Sequence, residues 1–296
     1  MSCRKSSEEK FKVVYRLRHQ YQLSTLLEIC DIKRSTYYYH LKKSSESDKY
    51  LKIKSFIKEQ FSKSRMTYGY RRMWFLSRKA GFNYCKETIR SLMTKMGLKV
   101  TLYHRHQGRF NSYKRHYGRT AYNLLKQKFT AKSPFEVLHT DVTQVKTKNG
   151  WCYISVILDQ ASKEIVAHDV SQHPDLQLVL NTLDRVKMKL NYPGTILHSD
   201  QGFMYQHKMY QEALSNLGII QSMSRKGNCL DNAPIESFFS LLKRECLNRV
   251  TLNSVEHVRE ILHDYLNWYN KQRISLNKKG MTPVEYRINY QHHALI

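Results

Sequence analysis

The spacing of apolar residues changes character along the chain. Over residues 1–43 it follows three short helical stretches, EEKFKVVYRLRHQ, STLLEIC and RSTYYYHLKK, the last two joined by a tight CDIK connection. Leu26, Leu27, Cys30 and Ile32, followed by a Ser35–Thr36 start, predict helix-turn-helix proportions. The second helix of that pair would present Arg34, Tyr37, Tyr38, Lys42 and Lys43. A polar hinge, SSESDKY, spans 44–50, and a second helical unit is predicted over 51–100. There Ile89, Leu92, Met93 and Met96 repeat at i, i+3, i+4 and i+7, the spacing of one buried helix face. In the preceding MTYGYRRMWFLSRKAGF, residues Tyr68, Tyr70, Arg71 and Arg72 are hard to bury together and are candidates for contact with a nucleic-acid backbone. Residues 101–134 show little periodicity and are expected to be a linker.

From residue 135 the pattern turns to β. EVLHTDVTQVKT, WCYISVILD and EIVAHDV are β-rich runs separated by KNG and QASK, which predicts an antiparallel meander. Leu176, Val179, Leu180, Leu183 and Val186 then mark an amphipathic helix stopped by Pro193–Gly194. TILHSD reads as a short buried strand, YQEALSNLG as a helix closed by Gly218, and IIQSMS as another strand. Asp231 or Asn232 is expected to cap the next helix, with Pro234 in its first turn. The order βββαβαβα is that of an α/β, ribonuclease-H-like fold: a five-stranded mixed sheet flanked by helices. It would occupy 135–250, with small all-α units before it and a helical tail over 251–296.

Charge adds a division that hydropathy does not show. The 296 residues carry a formal net charge of +26, and residues 1–134 hold 32 basic and 8 acidic side chains, a net +24. Residues 135–296 hold 18 and 16, a net +2. Between Thr88 and Phe135 there is no acidic residue against 11 Lys and Arg, Lys114 and Arg115 among them. Such a front half points to a polyanion, because neutralising phosphates releases condensed counterions. No apolar run reaches the ~20 residues of a membrane span. The basic opening lacks the apolar core of a signal peptide. Six cysteines without a C-x-x-C fit reduced thiols in a cytoplasmic setting and argue against a cysteine-rich zinc module.

Three carboxylates stand out in the near-neutral half. Asp141 interrupts a β-branched row, Asp200 ends the TILHSD strand where α/β sheets place ligands, and Glu236 lies one turn into the helix after NAP. In this topology the strands of Asp141 and Asp200 are neighbours, so the acids converge. Two like charges ~4 Å apart repel by about 4 kcal/mol at an effective dielectric of ~20. Divalent cations reverse that sign, and a pair of them suits in-line phosphoryl displacement. Taken singly, each acid also has an ordinary role as a turn former or helix-dipole partner.

HTDVT, HSDQG and GNCLDNAPIESFFSLLKRE together resemble the core of retroviral-integrase-like DDE transposases, most closely the second-frame protein of bacterial insertion sequence family 3. Thirty-five residues separate Asp200 from Glu236, the D-D-35-E spacing of that superfamily. Lys243 follows Glu236 by seven residues, about 700° of helix, so it shares the glutamate's face. STLLEICDIKRSTYYYHLK resembles the family's helix-turn-helix, TYGYRRMWFLSRKAGFNYCKETIRSLMTKMGL its linker domain and YNKQRISLNKKGMTPVEY its tail. His139 and Ile274 stand where relatives often have Trp and Pro.

The resemblance implies a transposase that cleaves the 3′ ends of its element and transfers the strand to target DNA. Asp141, Asp200 and Glu236 would hold two Mg²⁺, with Mn²⁺ able to substitute and no zinc expected. Lys243 would contact a terminal base or phosphate. Gln201, Gly202, Asn228 and Asn232 are candidates for positioning DNA or the carboxylates. The implied partners are double-stranded DNA (terminal inverted repeats and target), further copies assembled on DNA, and a first-frame protein. Two other readings stay open on the residues alone. One is a DNA-binding regulator with an inactive core, which leaves the intact triad unexplained. The other is a nuclease for RNA–DNA hybrids, which leaves the basic front unexplained.

Overall fold

The computed structural model describes residues 6–45, 48–100, 119–131, 133–187, 194–225 and 228–294. The chain divides into two units, residues 1–59 and 60–296. The first contains α1 (Ser7–Leu17), α2 (Leu23–Ile29), α3 (Arg34–Ser45) and most of α4 (Leu51–Lys63). A capping box starts α1: the Glu9 N–H donates to Ser6 Oγ (3.3 Å) and the Ser6 N–H to Glu9 Oε2 (2.8 Å). Phe11, Val14, Leu26, Leu27, Ile32 and Tyr37 form one buried cluster. Asp31, at φ 48°, turns the chain between α2 and α3, and the Ile32 N–H returns to Leu27 O. The expected helical pair is present, but Tyr37 is not on its outer face. It packs on Phe11 with ring centroids 5.4 Å apart, and Tyr38 and Arg34 stay exposed.

The second unit begins with the end of α4, then α5 (Tyr70–Lys79) and α6 (Lys86–Lys95), whose Ile89, Leu92 and Met93 are buried as their spacing predicts. A five-stranded sheet follows, built from β1 (Val137–Thr147), β2 (Gly150–Asp159), β3 (Ile165–Ser171), β4 (Ile196–Ser199) and β5 (Ile220–Met223). Its order is β3-β2-β1-β4-β5. The β1–β2 and β2–β3 pairs are antiparallel and the β1–β4 and β4–β5 pairs parallel, the mixed sheet expected from the element order. The connecting helices are α7 (Leu176–Lys187), α8 (Phe203–Gln206) and α9 (Lys208–Asn216); α10 (Ala233–Glu245), α11 (Val255–Lys271) and α12 (Pro283–Ala294) follow. As expected, α9 closes at Gly218, whose φ of 66° few other residues adopt cheaply. The expected stop of α7 at Pro193 lies outside the described residues.

Alternation along β1 assigns its two faces. Leu138 joins Leu197, Val179, Leu183, Met204 and Leu214 in the core under α7–α9. Leu138 is fully buried, and truncating such a leucine to alanine costs about 2–5 kcal/mol. His139 and Asp141 therefore point to the other face, where α10 meets β1.

Residues 119–131, expected to belong to the linker, already lie on this unit. Leu124 N–H donates to Ser222 Oγ (3.0 Å), and the amides of Asn123 and Gln127 donate to the buried carboxylate of Asp231 (2.8 and 2.9 Å). The Arg225 main chain and guanidinium complete that ring of donors and hold the Asp231 carboxyl well below its usual range. Asp231 is thus a hub for two loops rather than a helix cap. Among the described residues no helix is long and apolar enough to cross a membrane.

Candidate active site

Parallel pairing of β1 with β4 sets Val137 beside Ile196, Leu138 beside Leu197 and His139 beside His198. Two residues further along each chain come Asp141 and Asp200, at the C-terminal edge of the parallel pair and on the α10 face. Neighbouring strands lie ~4.8 Å apart, so the register alone brings the two aspartates together. Asp141 Oδ1 accepts the Val142 N–H (2.8 Å), and Asp200 Oδ1 accepts the Gly202 N–H (2.8 Å). Each carboxylate therefore has one oxygen steered by the main chain. The absence of a side chain at Gly202 leaves room for the Asp200 oxygen. A Cβ there would sit 2.9 Å from Asp200 Oδ1, closer than such contacts occur.

Beneath the aspartates lie two buried imidazoles, His139 and His198, in an edge-to-face contact with centroids 5.6 Å apart. Burial lowers both, His198 to about 4, so neither carries charge at neutral pH. His198 bonds Ser222 Oγ and Ser224 Oγ (2.9 and 3.1 Å). His139 Nδ1 pairs with Asn232 Oδ1 (2.8 Å), and Asn232 Nδ2 donates to Thr140 O (3.1 Å). With its amide nitrogen turned to the ring, Gln160 donates to His139 Nε2 (2.7 Å) and accepts from Ala131 and Thr130 N–H groups. Asn232 immediately precedes α10, so this latch ties the helix start to β1. The pair escaped sequence reasoning, although one signal was available: histidine stands two residues before each aspartate, in HTD and HSD.

Glu236 is exposed in the first turn of α10, and Lys243 is half-buried two turns on. Burial first, then the charge of Asp200 and that of Glu236, push the Asp141 carboxyl well above its ordinary range; Lys243 works against them. Burial lowers Lys243, and Asp141 opposes that. The four groups thus act on one another through space. Their side chains are not drawn to a single point: among the described residues no three His, Cys, Asp or Glu side chains lie within reach of one metal ion. Mutual repulsion favours such a spread. The donor set itself, all carboxylate oxygens, suits a hard divalent cation.

The other candidates are dispersed. Gln201 is half-buried beside Asp200, and Asn228 Oδ1 accepts the Leu230 N–H (3.2 Å), capping the short 3₁₀ turn before α10. Arg34 is exposed on α3 of the first unit, and Arg71 is exposed on α5. Tyr68 needs correction as a DNA contact, because it is 3% exposed. Its hydroxyl donates to Gln272 O (3.2 Å) and accepts the Ile274 N–H (2.7 Å), so it fastens the tail. Lys114 and Arg115 lie outside the described residues.

Two integrase core domain models match residues 131–229 and 236–290, and an HTH-like domain model matches 46–107, over the second helical unit rather than the first. The "Putative transposase InsK for insertion sequence element IS150" of Escherichia coli is 40% identical over 93% of this chain and 97% of its own length. The transposase InsF for insertion sequence IS3A, also of E. coli, is 30% identical over 78% and 81%. Among solved structures, the HTLV-2 integrase catalytic core domain in complex with magnesium is 15% identical, covers 52% of this chain and 97% of its own, and has a TM-score of 0.43.

Proposed function

The chain belongs to the DDE transposases of insertion sequence family 3, and from that premise we propose that Asp141, Asp200 and Glu236 are its catalytic carboxylates, acting on the ends of a DNA element. The observation that carries the assignment is the β1–β4 register, which brings Asp141 beside Asp200, with Glu236 on α10 near enough that its charge, after burial and the charge of Asp200, raises the Asp141 carboxyl. Folded chains seldom gather like charges that have no chemical use.

Asp141, Asp200 and Glu236 would together hold divalent ions of the Mg²⁺ or Mn²⁺ type, which would polarise the scissile phosphate and acidify the attacking hydroxyl. Asp141 on β1 and Asp200 just past the end of β4 each have one oxygen steered by a main-chain N–H, which limits the reorientation that binding an ion would require. Glu236 approaches from α10, whose entry is set by the Asn232 latch. In the first reaction a water oxygen attacks the phosphorus at the element end and the bond to the 3′ oxygen breaks, freeing a 3′-OH. In the second, that 3′ oxygen attacks a target phosphodiester and displaces the target's own 3′ oxygen. Neither step needs a covalent enzyme intermediate. Lys243, whose charge reaches Asp141, would position the terminal nucleotides together with Gln201 and Asn228. Arg34, Arg71, Arg72, Lys114 and Arg115 would contact duplex phosphates, which the +24 front half supports. The reaction would take place in the bacterial cytoplasm, on the nucleoid, in an assembly of several copies on DNA and with a first-frame protein as partner.

The test is metal-dependent cleavage and strand transfer on duplex oligonucleotides bearing the element's terminal repeats, with Asp200→Ala in parallel. Product formation with Mg²⁺ or Mn²⁺ by the wild type alone is expected. Equal activity of the two proteins would sink the carboxylate assignment. Binding without metal-dependent cleavage would favour a regulator, and preference for RNA–DNA hybrids a nuclease.

A further inference from the structure

A cleft of about 360 Å³ shares no residue with the carboxylate cluster. One wall is the start of α5, with Tyr70, Arg71 and Arg72; the other is the segment after α11, with Ser275, Leu276 and Asn277. Among the described residues, none that lines it is acidic. Arg72 is the unusual member. It is half-buried, its guanidinium lies 5.1 Å over the Tyr68 ring, and among the described residues that guanidinium makes no hydrogen bond or ion pair. The neighbouring acid, Glu245, is already committed to Arg273 through two hydrogen bonds and to the Tyr265 hydroxyl. Burial, and next the positive charge of Arg273, pull the Arg72 pKa down. A half-desolvated cation whose donors lack acceptors is costly to keep, and a bound anion removes that cost.

The surroundings select the kind of anion. The Tyr68 ring is fixed by its two main-chain bonds to Gln272 and Ile274, so it gives the Arg72 guanidinium a set surface to lie over. A planar guanidinium matches the paired oxygens of a phosphate. Arg71 stands exposed beside the cleft, where a long strand could pass, and among the described residues no side chain caps the first N–H groups of α5. An open cleft with one buried donor fork and one exposed cation suits a phosphate that remains attached to a polymer.

We propose that this cleft seats one backbone phosphate of duplex DNA, with Arg72 as the donor fork, Arg71 beside the cleft and the 275–277 segment as the second wall. The identity of the polymer rests on the transposase reading above. The site makes the tail a DNA-docking element, and Arg273, in the same stretch, ties that tail to Glu245 on α10. A duplex held here is registered to the helix that carries Glu236.

The test uses the full chain, a labelled duplex of arbitrary sequence and fluorescence anisotropy across a salt series. Each phosphate neutralised adds ~0.9 to the slope of log Kd against log salt, so Arg72→Gln is expected to lower the slope by about 1. Asn277→Asp puts a carboxylate in the cleft from an exposed position, and is expected to weaken binding without changing the thermal midpoint. It decides the matter if Arg72→Gln fails to fold. Wild-type affinity and slope in both variants would overturn the site while leaving DNA binding intact. A wild-type chain that shows no salt-dependent duplex binding brings down the transposase reading of the basic front together with the cleft. Inorganic phosphate that stabilises wild type but not Arg72→Gln, with equal DNA slopes, would mean a free-anion site and would also overturn the proposal.

Discussion

Helix α10 carries a glutamate near each end, and the two are treated in opposite ways. Glu245 is buried at the C-terminal end and accepts from Arg273 Nη2 (2.7 Å), Arg273 Nε (2.9 Å) and the Tyr265 hydroxyl (3.0 Å). Burial alone would lower the Arg273 pKa, yet the bonds and charge of Glu245 raise it instead. Glu236, at the N-terminal end, is exposed, and its charge adds to the strain on Asp141. One end of the helix is anchored by a buried ion pair, and the other presents an exposed carboxylate whose charge bears on Asp141. A fold tolerates the second arrangement where chemistry requires it, and the first supplies the rigidity that keeps it in place.

The largest contrast is expected from removing charge at the exposed end. Asp141→Asn takes away an oxygen proposed to bind metal and a repelling neighbour together. Transition-state stabilisation of several kcal/mol should go, about three orders of magnitude in cleavage rate. The thermal midpoint should stay level or rise, because the like-charge contact with Asp200 is gone. Loss of rate accompanied by loss of folded protein would show that Asp141 supports the sheet rather than the chemistry.

Arg273→Ala attacks the anchored end and should behave in the reverse manner. It leaves Glu245 buried and uncompensated, which costs about 3–5 kcal/mol. Urea denaturation should show the fall, and the double change Arg273→Met with Glu245→Leu should recover most of it. Little effect of the single change would mean that the pair is not a structural anchor. A smaller loss, about 1–3 kcal/mol, is expected for Asn232→Ala, which leaves His139 Nδ1 buried without its partner. Cleavage should fall further than that stability loss explains, since the helix bearing Glu236 loses its tie to β1.

The two ends also differed in how far the sequence disclosed them. Asp141 stood out because an acid in a β-branched row breaks a period of two, and Lys243 because seven residues return to the same helix face. The mixed sheet followed from the same periodicities. The anchoring contacts have no period. Arg273 and Glu245 sit on separate elements, and Asn123 and Gln127 reach Asp231 across more than a hundred residues of chain. Tyr68 looked like a DNA contact because arginines follow it, whereas its hydroxyl is used by main-chain groups of the tail. Polar contacts between distant segments depend on the finished packing, and local spacing carries no trace of them.

Two glycines sharpen the contrast at the smallest scale. Gly202, at φ −61°, has ordinary backbone for alanine, so Gly202→Ala brings no strain of its own. The new Cβ would instead press on Asp200 Oδ1 at 2.9 Å and touch the Tyr205 ring at 3.4 Å. Either the carboxylate turns away or the 2.8 Å bond from the Gly202 N–H lengthens. Misplacing a reacting group by ~1 Å costs up to ~100-fold in rate, so about a tenfold loss of cleavage is expected with stability nearly unchanged. Gly218, at φ 66° in the turn after α9, meets no atom at a new Cβ and has only its backbone to strain. Gly218→Ala should therefore lower stability by about 1 kcal/mol and leave the rate alone. Parallel melting curves and cleavage rates for the two variants check both halves. If the Gly202 variant melts early while its rate per folded molecule holds, the glycine serves the fold and not the carboxylate beside it.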